Sequence, residues 1–237
     1  EAVNRVLPIG CVTSGRQGKR LADLDEMAQA GVIGFSDDGS PVKDSLIMLE
    51  ALNYSRISGL PIIDHCEDIS LTSNGLMEER ALSIESELAA IPDTAEQIIL
   101  SRDLLLARLS GGWVHIAHVS SEGSVELIRH AKEKGVNVTA EVTPHHLTLT
   151  EETANSGDTN AKVNPPLRAK QDNEALIKGL KENVIDIIAT DHAPHTEKDK
   201  SVAFSQAPCG ISGLETALGS LLGLVHREAI PLKSLIA

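Results

Sequence analysis

Cysteine is scarce in this sequence and does not occur in pairs. The 237 residues include three cysteines, Cys11, Cys66 and Cys209, and no Cys-x-x-Cys motif. An odd and scattered set does not match the disulfide framework of small secreted domains. We therefore expect free thiols and a cytoplasmic protein, because the cytosol keeps thiols reduced.

Long apolar runs and an excess of positive charge are also missing. No apolar stretch approaches the roughly 20 residues of a membrane helix, so we expect no membrane-spanning segment. The formal net charge of -13 argues against binding to a nucleic-acid backbone or an anionic membrane. With 41% apolar and 23% charged residues, the composition is that of an ordinary globular protein, long enough for one large domain.

What the sequence does contain is a repeated alternation of strand-like and helix-like segments. The apolar runs that predict strands are Val6–Thr13, Val32–Ser36, Leu60–Ile63, Trp113–His118, Val136–Val142 and Val184–Ala189. Between them lie apolar residues that predict helices, including Leu46, Leu49 and Leu52 before Gly59, then Ile84, Leu88, Ile98, Leu105 and Leu109, and finally the run 214–224. This order predicts parallel βα units and so an α/β fold.

Five of the six predicted strands end in acids or histidines. These residues are Asp37 and Asp38, His65, His118, His145 and His146, and Asp191. In a parallel barrel the carboxyl ends of the strands converge on one mouth, where catalytic groups lie. Because His nitrogen and carboxylate oxygen are zinc ligands, the pattern favours a metal site over a set of solvated loop residues. His115, inside the fourth strand, is predicted to face the other side and to be structural.

Seven blocks of sequence together resemble the signature blocks of the bacterial class I dihydroorotases, which belong to the amidohydrolase superfamily. In chain order they are Ser36–Gly39, His65–Asp68, His118–Ser120, Glu141–His146, Lys162–Arg168, Asp191–His195 and Gly213–Ala217. The resemblance covers nearly the whole chain. It implies a TIM-like (β/α)₈ barrel that is incomplete here, with strands 3 to 8 present. Residues 1–237 would then be one partial metal-dependent hydrolase domain, with no second domain.

The resemblance also implies roles for particular residues and one or two zinc ions. Asp38 would bridge the two ions, His65 and His118 would bind one ion, and Asp191 would bind the other and transfer protons. The substrate contacts would be Asn164, His195, Cys209 and Gly210. Related hydantoinases and allantoinases typically use a carboxylated lysine as the bridge. The acid at position 38, with no lysine beside it, favours a dihydroorotase.

The implied reaction is the reversible hydrolysis of (S)-dihydroorotate to N-carbamoyl-L-aspartate by a metal-activated hydroxide, in de novo pyrimidine biosynthesis. One alternative is another cyclic amidase, a hydantoinase or an allantoinase. The other is an inactive dihydroorotase-like scaffold subunit of a transcarbamoylase complex. Such homologues usually lose metal ligands, whereas the ligand positions in these blocks are intact. The partner of the chain would be a small-molecule substrate, with a homo-oligomer or an aspartate transcarbamoylase complex as the implied assembly.

The sequence also departs from the family pattern. The His-x-His pair and the arginine of the first barrel strand, and the asparagine of the second, are not present, because the sequence begins at what resembles the third strand. Cys209 stands where members usually have an aromatic residue. The polar run Thr196–Gln206 resembles the mobile loop that closes over substrate. We expect the 237 residues by themselves to be inactive and aggregation-prone, because the flanking strands would expose unpaired edges.

Overall fold

Helices alternate with short parallel strands along the chain. The computed structural model describes residues 3–72 and 91–236, so the predicted apolar positions Ile84 and Leu88 lie outside the described residues. In chain order the elements are α1 (Leu24–Gln29), α2 (Ser45–Ser58), β1 (Ile62–Asp64), α3 (Ile69–Thr72), α4 (Asp93–Ser110), β2 (Val114–Ile116), α5 (Glu122–Glu133), β3 (Val138–Val142), α6 (Pro144–Thr148), α7 (Glu151–Asn155), α8 (Lys170–Lys181), β4 (Ile187–Ile188), α9 (Glu197–Lys200), α10 (Ala217–His226) and α11 (Leu232–Ile236). Short 3₁₀ turns span Ser14–Arg16, Thr159–Ala161 and Phe204–Gln206.

The chain divides into two compact units. Unit 1 comprises residues 1–68, 97–117 and 127–139, and unit 2 comprises residues 69–96, 118–126 and 140–237. Strand β3 and helices α4 and α5 each begin in one unit and end in the other.

The strands of unit 1 run parallel. β1 pairs with β2, and Ile62 lies opposite Val114. The first two predicted strands are reduced to single parallel bridges, one from Gly10 to Phe35 and one from Phe35 to Ile62. The largest fully buried side chains of this unit are Phe35, Met48, Leu52, Ile62, Leu100, Ile116 and Ile128. The predicted parallel arrangement is therefore confirmed, although the regular strands are shorter than the apolar runs that predicted them.

Helix α2 shows how local sequence sets the bounds of an element in unit 1. The Asp44 side chain accepts hydrogen bonds from the amides of Leu46 and Ile47 at 2.7 and 3.3 Å, which satisfies donors of the first turn. Gly59 ends the helix in the left-handed conformation at φ 73°, and its amide donates to the Ser55 carbonyl. The predicted end of this helix at Gly59 is confirmed.

Unit 2 contains the second parallel pair. β3 pairs with β4, and Glu141 lies opposite Ile187. A further parallel bridge joins His192 to Ile211. Unit 2 also contains a small apolar cluster of Ala154, Ala161, Val163 and Leu167, with Leu149, Phe204 and Ile211 packed against it. This cluster supports the segments that carry the predicted substrate contacts.

Two further observations concern the helices. Ile98, Leu105 and Leu109 lie on α4 as predicted. The exposed fractions of these three residues are nevertheless 48%, 66% and 71%, respectively. Helix α4 instead buries Leu100 and Leu104. Among the described residues, no helix combines the length and the apolar character required to cross a bilayer.

The closest backbone approach in unit 1 gives a stability prediction. A Cβ at Gly112 would lie 2.1 Å from the Leu52 carbonyl oxygen, so Gly112→Ala is expected to lower the free energy of unfolding by about 2–3 kcal/mol through overpacking. The matched control is Gly219→Ala on α10, where nothing lies within 4 Å of the new methyl group. That change is expected to be neutral or to stabilise by about 0.5–1 kcal/mol. Urea denaturation of a soluble protein that contains this chain measures both, and equal effects would contradict the prediction.

Candidate metal centre and substrate turn

The two adjacent acids after the second predicted strand have different surroundings. Asp37 is buried, and its carboxylate accepts hydrogen bonds from the amides of Val12 and Thr13 at 2.9 and 3.1 Å and from the Thr13 hydroxyl. Asp38 is exposed over 66% of its side chain, and its amide donates to the Ser36 hydroxyl at 3.0 Å. Asp37 therefore organises the backbone, which makes Asp38 the acid suited to a metal.

His65 follows β1 in the same unit and is 4% exposed. Its Nδ1 lies 3.7 Å from an Asp38 carboxylate oxygen, and its Nε2 lies 2.7 Å from a Glu67 oxygen. Two ligands that are each ~2.0–2.2 Å from one ion lie at most about 4.4 Å apart. Asp38 and His65 therefore have the spacing and the donor atoms of two ligands to one zinc-like ion.

His118 follows β2 and is buried. It is the first residue of the 118–126 segment of unit 2. Its backbone has φ 34°, in the left-handed region that residues other than glycine seldom adopt. The carboxylate of Glu141 accepts a hydrogen bond from the His118 amide at 3.4 Å, and the Glu141 carbonyl accepts one from the Val119 amide at 2.9 Å. Strand β3 thus fixes the sharp turn that presents His118.

A buried carboxylate holds the loop after β2. Glu96 is 4% exposed and accepts hydrogen bonds from the amide of Ser120 at 3.2 Å, from the Ser120 hydroxyl, and from the Ser121 hydroxyl at 3.3 Å. The Arg168 guanidinium donates to the same Ser120 oxygen at 3.2 Å. No local pattern in the sequence marks Glu96, because its partners Ser120 and Ser121 lie 24 and 25 residues away.

His146 joins two loops of unit 2. Its Nδ1 lies 2.8 Å from the Thr143 hydroxyl, and its Nε2 lies 3.0 Å from the Pro165 carbonyl oxygen. A carbonyl can only accept, so Nε2 carries the proton and Nδ1 accepts from the hydroxyl. Burial, and then the charges of His145 and His118, lower the pKa of His146 well below its ordinary value. His146 is therefore a neutral link from α6 to the segment that follows Asn164.

His145 has no comparable partner. Its Nε2 is buried and has no hydrogen-bond partner among the described residues, although the ring packs against His146 with the centroids 4.6 Å apart. Burial, followed by repulsion from His118, lowers the pKa of His145 to about 4. At neutral pH its ring is uncharged. The sequence placed this residue at a strand end but could not distinguish it from His146.

Asp191 lies in a turn that two neighbouring segments determine. Its φ is 47°, again in the left-handed region. The Nδ1 of His192 accepts hydrogen bonds from the amides of Gly213 and Leu214 at 3.0 and 3.2 Å. A Cβ at Gly213 would lie 2.9 Å from the Thr190 carbonyl oxygen, so glycine is needed for this approach. The turn is therefore fixed by the His192 ring and by the close approach of the Gly213 backbone.

Three of the four predicted substrate contacts are brought together in unit 2. The Nε2 of His195 donates to the Cys209 carbonyl at 2.9 Å, and the amide of Gly210 donates to the Lys162 carbonyl at 2.9 Å. Gly210 has φ 139°, and a Cβ there would lie 2.4 Å from the Ala193 carbonyl oxygen. We call residues 208–210 the substrate turn. Asn164, the fourth predicted contact, is half-buried in the same unit.

The four predicted metal ligands are divided between the units. Asp38 and His65 belong to unit 1, and the structure brings them together. His118 and Asp191 belong to unit 2. That all four share a metal centre stays a prediction. His115 is buried, with its Nδ1 2.8 Å from the Thr139 hydroxyl, which agrees with its predicted structural role.

A second cluster of ligand-type residues is buried in unit 1. Asp64, Cys66 and Asp103 offer oxygen and sulfur atoms within 4.8 Å of one another. The Arg102 guanidinium lies 2.7 Å from an Asp103 oxygen. Burial, and then the charge of Asp103, raise the pKa of Asp64 well above its ordinary value. Burial also raises the pKa of Asp103, but the charge of Arg102 opposes this shift. Asp64 is therefore the carboxyl group that more readily holds a proton, beside the ion pair of Asp103 and Arg102, and we interpret the cluster as structural.

This interpretation predicts unequal effects for two substitutions. Asp64→Asn is expected to be nearly neutral at pH 7, because the amide resembles a protonated acid. Asp103→Asn should cost about 3 kcal/mol, since it leaves Arg102 without its buried partner. A raised pKa contributes stability below the unfolded value of about 3.9, and this contribution is lost as pH rises through the folded value. Urea unfolding at several pH values measures both variants, and equal losses would contradict the proton assignment.

His145 gives a prediction of the opposite sign. The unfolded chain binds a proton below about 6.5, whereas the folded chain binds it only near the lowered pKa of about 4. Stability should therefore fall as pH decreases from about 6.5 to 4, by up to about 3 kcal/mol from this group. His145→Gln should reduce that dependence. Urea unfolding at pH 7.5 and 5.0 compares the two proteins, and a native NMR titration of His145 with its midpoint near 6.5 would refute the prediction.

Comparison with solved structures defines the class of fold. An L-hydantoinase (dihydropyrimidinase) from Arthrobacter aurescens matches with a TM-score of 0.83 and 27% sequence identity, covering 90% of this chain and 51% of that protein. A dihydropyrimidinase from Brevibacillus agri matches with a TM-score of 0.78 and 22% identity, covering 88% of this chain and 48% of that protein. The fold is thus part of an amidohydrolase-type α/β barrel, as the sequence predicted.

Sequence comparison narrows the class to a family. The model of the family described as dihydro-orotase-like matches residues 1–124, and the chain belongs to this family. A dihydroorotase from Caldanaerobacter subterraneus subsp. tengcongensis is 48% identical over 237 residues, which are 100% of this chain and 55% of that protein. One from Pelotomaculum thermopropionicum is 52% identical over 218 residues, 92% of this chain and 51% of that protein. The chain spans about half the length of the curated relatives it matches.

Proposed function

We propose that the protein containing this chain is a dihydroorotase, which reversibly hydrolyses (S)-dihydroorotate to N-carbamoyl-L-aspartate in de novo pyrimidine biosynthesis. The observation that carries the proposal is the Asp38 carboxylate 3.7 Å from the ring of His65, because an acid rather than a lysine stands at the position proposed for the bridging ligand. Curated dihydroorotases that match the chain along its whole length support it. A hydantoinase is less well supported, because that likeness is chiefly one of fold.

We propose zinc as the metal, with one or two ions held by Asp38, His65, His118 and Asp191. The donor set fits, because it consists of imidazole nitrogen and carboxylate oxygen, and Asp38 and His65 have the spacing of shared ligands. When bound, the metal supplies an activated water and polarises the amide carbonyl. Proton transfer and substrate binding are assigned to residues of the chain.

Asp191 is the proposed proton carrier. A carboxylate beside the attacking water can accept its proton and deliver it to the ring nitrogen that leaves when the amide bond breaks. The left-handed backbone conformation of Asp191 and the hydrogen bonds that His192 accepts fix the main chain from which the Asp191 side chain extends. Proton transfer depends on such positioning, because a general base must lie within hydrogen-bond reach of the proton it accepts.

Asn164, His195 and the backbone of Cys209 and Gly210 are the proposed substrate contacts. Because Nε2 of His195 already donates to the Cys209 carbonyl, Nδ1 is the nitrogen left to face the substrate. Asn164 and His195 would together hold the pyrimidine ring and its carboxylate. The same hydrogen bond couples substrate binding to the shape of the substrate turn.

We further propose that residues 1–237 form one barrel domain of a cytoplasmic protein, as a homo-oligomer or in an aspartate transcarbamoylase complex. The continuous strand β3, which contributes residues to both units, supports a single domain. The odd and scattered set of cysteines, Cys11, Cys66 and Cys209, none of which forms a disulfide in the described residues, supports a reducing compartment.

The Asp191 assignment predicts a kinetic result. In the zinc-loaded protein of full family length, Asp191→Asn is expected to lower kcat for dihydroorotate by about 10²–10⁴-fold, because proton transfer is lost while the fold is kept. The matched control is Glu197→Gln, which neutralises an exposed acid on the following helix and should leave kcat unchanged. Steady-state kinetics and zinc analysis are made on both. Near-normal turnover of Asp191→Asn with zinc fully bound would remove Asp191 from the mechanism.

A further inference from the structure

Lys200 is a buried lysine at the end of α9. It is 9% exposed, and its ammonium group donates hydrogen bonds to three carbonyl oxygens, of Thr159 at 2.9 Å, Pro208 at 2.8 Å and Gly210 at 2.8 Å. An ammonium group has three N–H donors, so all of them are used. The Lys200 carbonyl in turn accepts the Thr159 hydroxyl at 2.6 Å. The side chain therefore has one defined position.

Two of these carbonyls lie on either side of Cys209 in the substrate turn. A trans peptide is planar, and its C=O and N–H point in opposite directions. The Pro208 carbonyl points to Lys200, so the N–H of Cys209, which belongs to the same peptide, points away from Lys200. The ammonium thus sets the direction of the Cys209 amide, one of the groups assigned to substrate binding.

The peptide between Cys209 and Gly210 is hydrogen-bonded at both its carbonyl and its amide. His195 donates to the Cys209 carbonyl, and the Gly210 amide donates to the Lys162 carbonyl, each at 2.9 Å. The Lys162 ammonium also donates to the carbonyls of Phe204 and Ser205 at 2.7 and 3.0 Å. The Gly210 amide is therefore engaged by Lys162, and the direction of the Cys209 amide is set by the Pro208 carbonyl of the same peptide, which Lys200 binds.

We propose that Lys200 is the positioning residue of the substrate turn, holding the Pro208 and Gly210 carbonyls so that the Cys209 N–H is directed to a carbonyl oxygen of the substrate. The inference rests on the proposed function, because the substrate carbonyl belongs to that reaction. The turn is formed before the substrate arrives, so binding does not have to order it. Lys200 itself does not touch the substrate.

A lysine suits this position for a geometric reason. Its ammonium is compact and directs three donors to acceptors on different sides, whereas the guanidinium of arginine is planar. A methionine of similar length would remove the ammonium donor from all three carbonyl oxygens, although the Thr159 carbonyl keeps the Lys162 amide as a donor, and the loss of a donor to a buried acceptor is costly. Glutamine keeps two N–H donors on a shorter side chain. These differences allow a graded test.

The test compares Lys200→Met and Lys200→Gln in the zinc-loaded protein of full family length. Loss of one well-aligned substrate hydrogen bond corresponds to about tenfold in affinity. We therefore expect KM for dihydroorotate to rise about tenfold in Lys200→Met and less in Lys200→Gln, with kcat nearly constant, because the lost contact is made equally in ground and transition states. The matched control, Lys198→Met, removes an exposed lysine from the same helix and should change neither constant.

Two readouts besides turnover separate positioning from folding and from the proposed function. Amide hydrogen exchange over residues 207–211 should accelerate in Lys200→Met while the rest of the protein and the zinc content stay unchanged. If the unsubstituted protein does not hydrolyse dihydroorotate, the proposed function fails, and hydrogen exchange still tests the role of Lys200 in the turn. Unchanged KM and exchange in both Lys200 variants would overturn the inference. Loss of kcat and zinc together in both variants would also overturn it, by assigning Lys200 to the fold as a whole.

Discussion

Burial of polar side chains at the carboxyl ends of parallel strands is the constraint on which the rest of the structure depends. A polar group removed from water must be hydrogen-bonded, or it destabilises the folded state. Asp37, Glu96, His146 and Lys200 meet this requirement by binding the backbone or side chains of a neighbouring segment. The segments they hold carry the proposed functional residues Asp38, His118, Asn164 and Cys209. The hydrogen bonds that satisfy these buried polar groups therefore also position the proposed site residues.

Two of the proposed metal ligands have backbone conformations that strands do not use. His118 and Asp191 both have positive φ, which costs a residue other than glycine of order 1 kcal/mol or more. Such a conformation persists only where the surroundings determine it. Glu141 does so at His118 by binding two successive amides, and His192 does so at Asp191 by accepting from two amides of the next loop. The strain is therefore local and is stabilised by hydrogen bonds within unit 2.

The sequence predicted the parallel α/β fold and the residues at the strand ends, because apolar runs, stop signals and strand-end polar residues are all local features. It did not predict the extent of the strands, since the first two apolar runs pair through single bridges at Gly10 and Phe35. It also did not identify Glu96 or Lys200. Ser120 lies 24 residues from Glu96, and the partners of the Lys200 ammonium lie 8, 10 and 41 residues away. No helix or strand periodicity encodes contacts at these separations. Lys200 lies in the run Thr196–Gln206, whose polar composition resembles that of a mobile loop. This composition conceals the burial of the Lys200 side chain.

The adjacent acids Asp37 and Asp38 have an evolutionary consequence. Asp37 makes the hydrogen bonds to Val12 and Thr13, so the side chain at position 38 can be replaced without removing any of them. Selection can therefore act on the proposed metal ligand at position 38 independently of selection for folding. This chain shares its fold with an L-hydantoinase at 27% identity and with a dihydropyrimidinase at 22% identity, and this separation allows the side chain at position 38 to differ within one fold. Descendants of one barrel can in this way diverge at this position while the backbone that Asp37 binds stays the same.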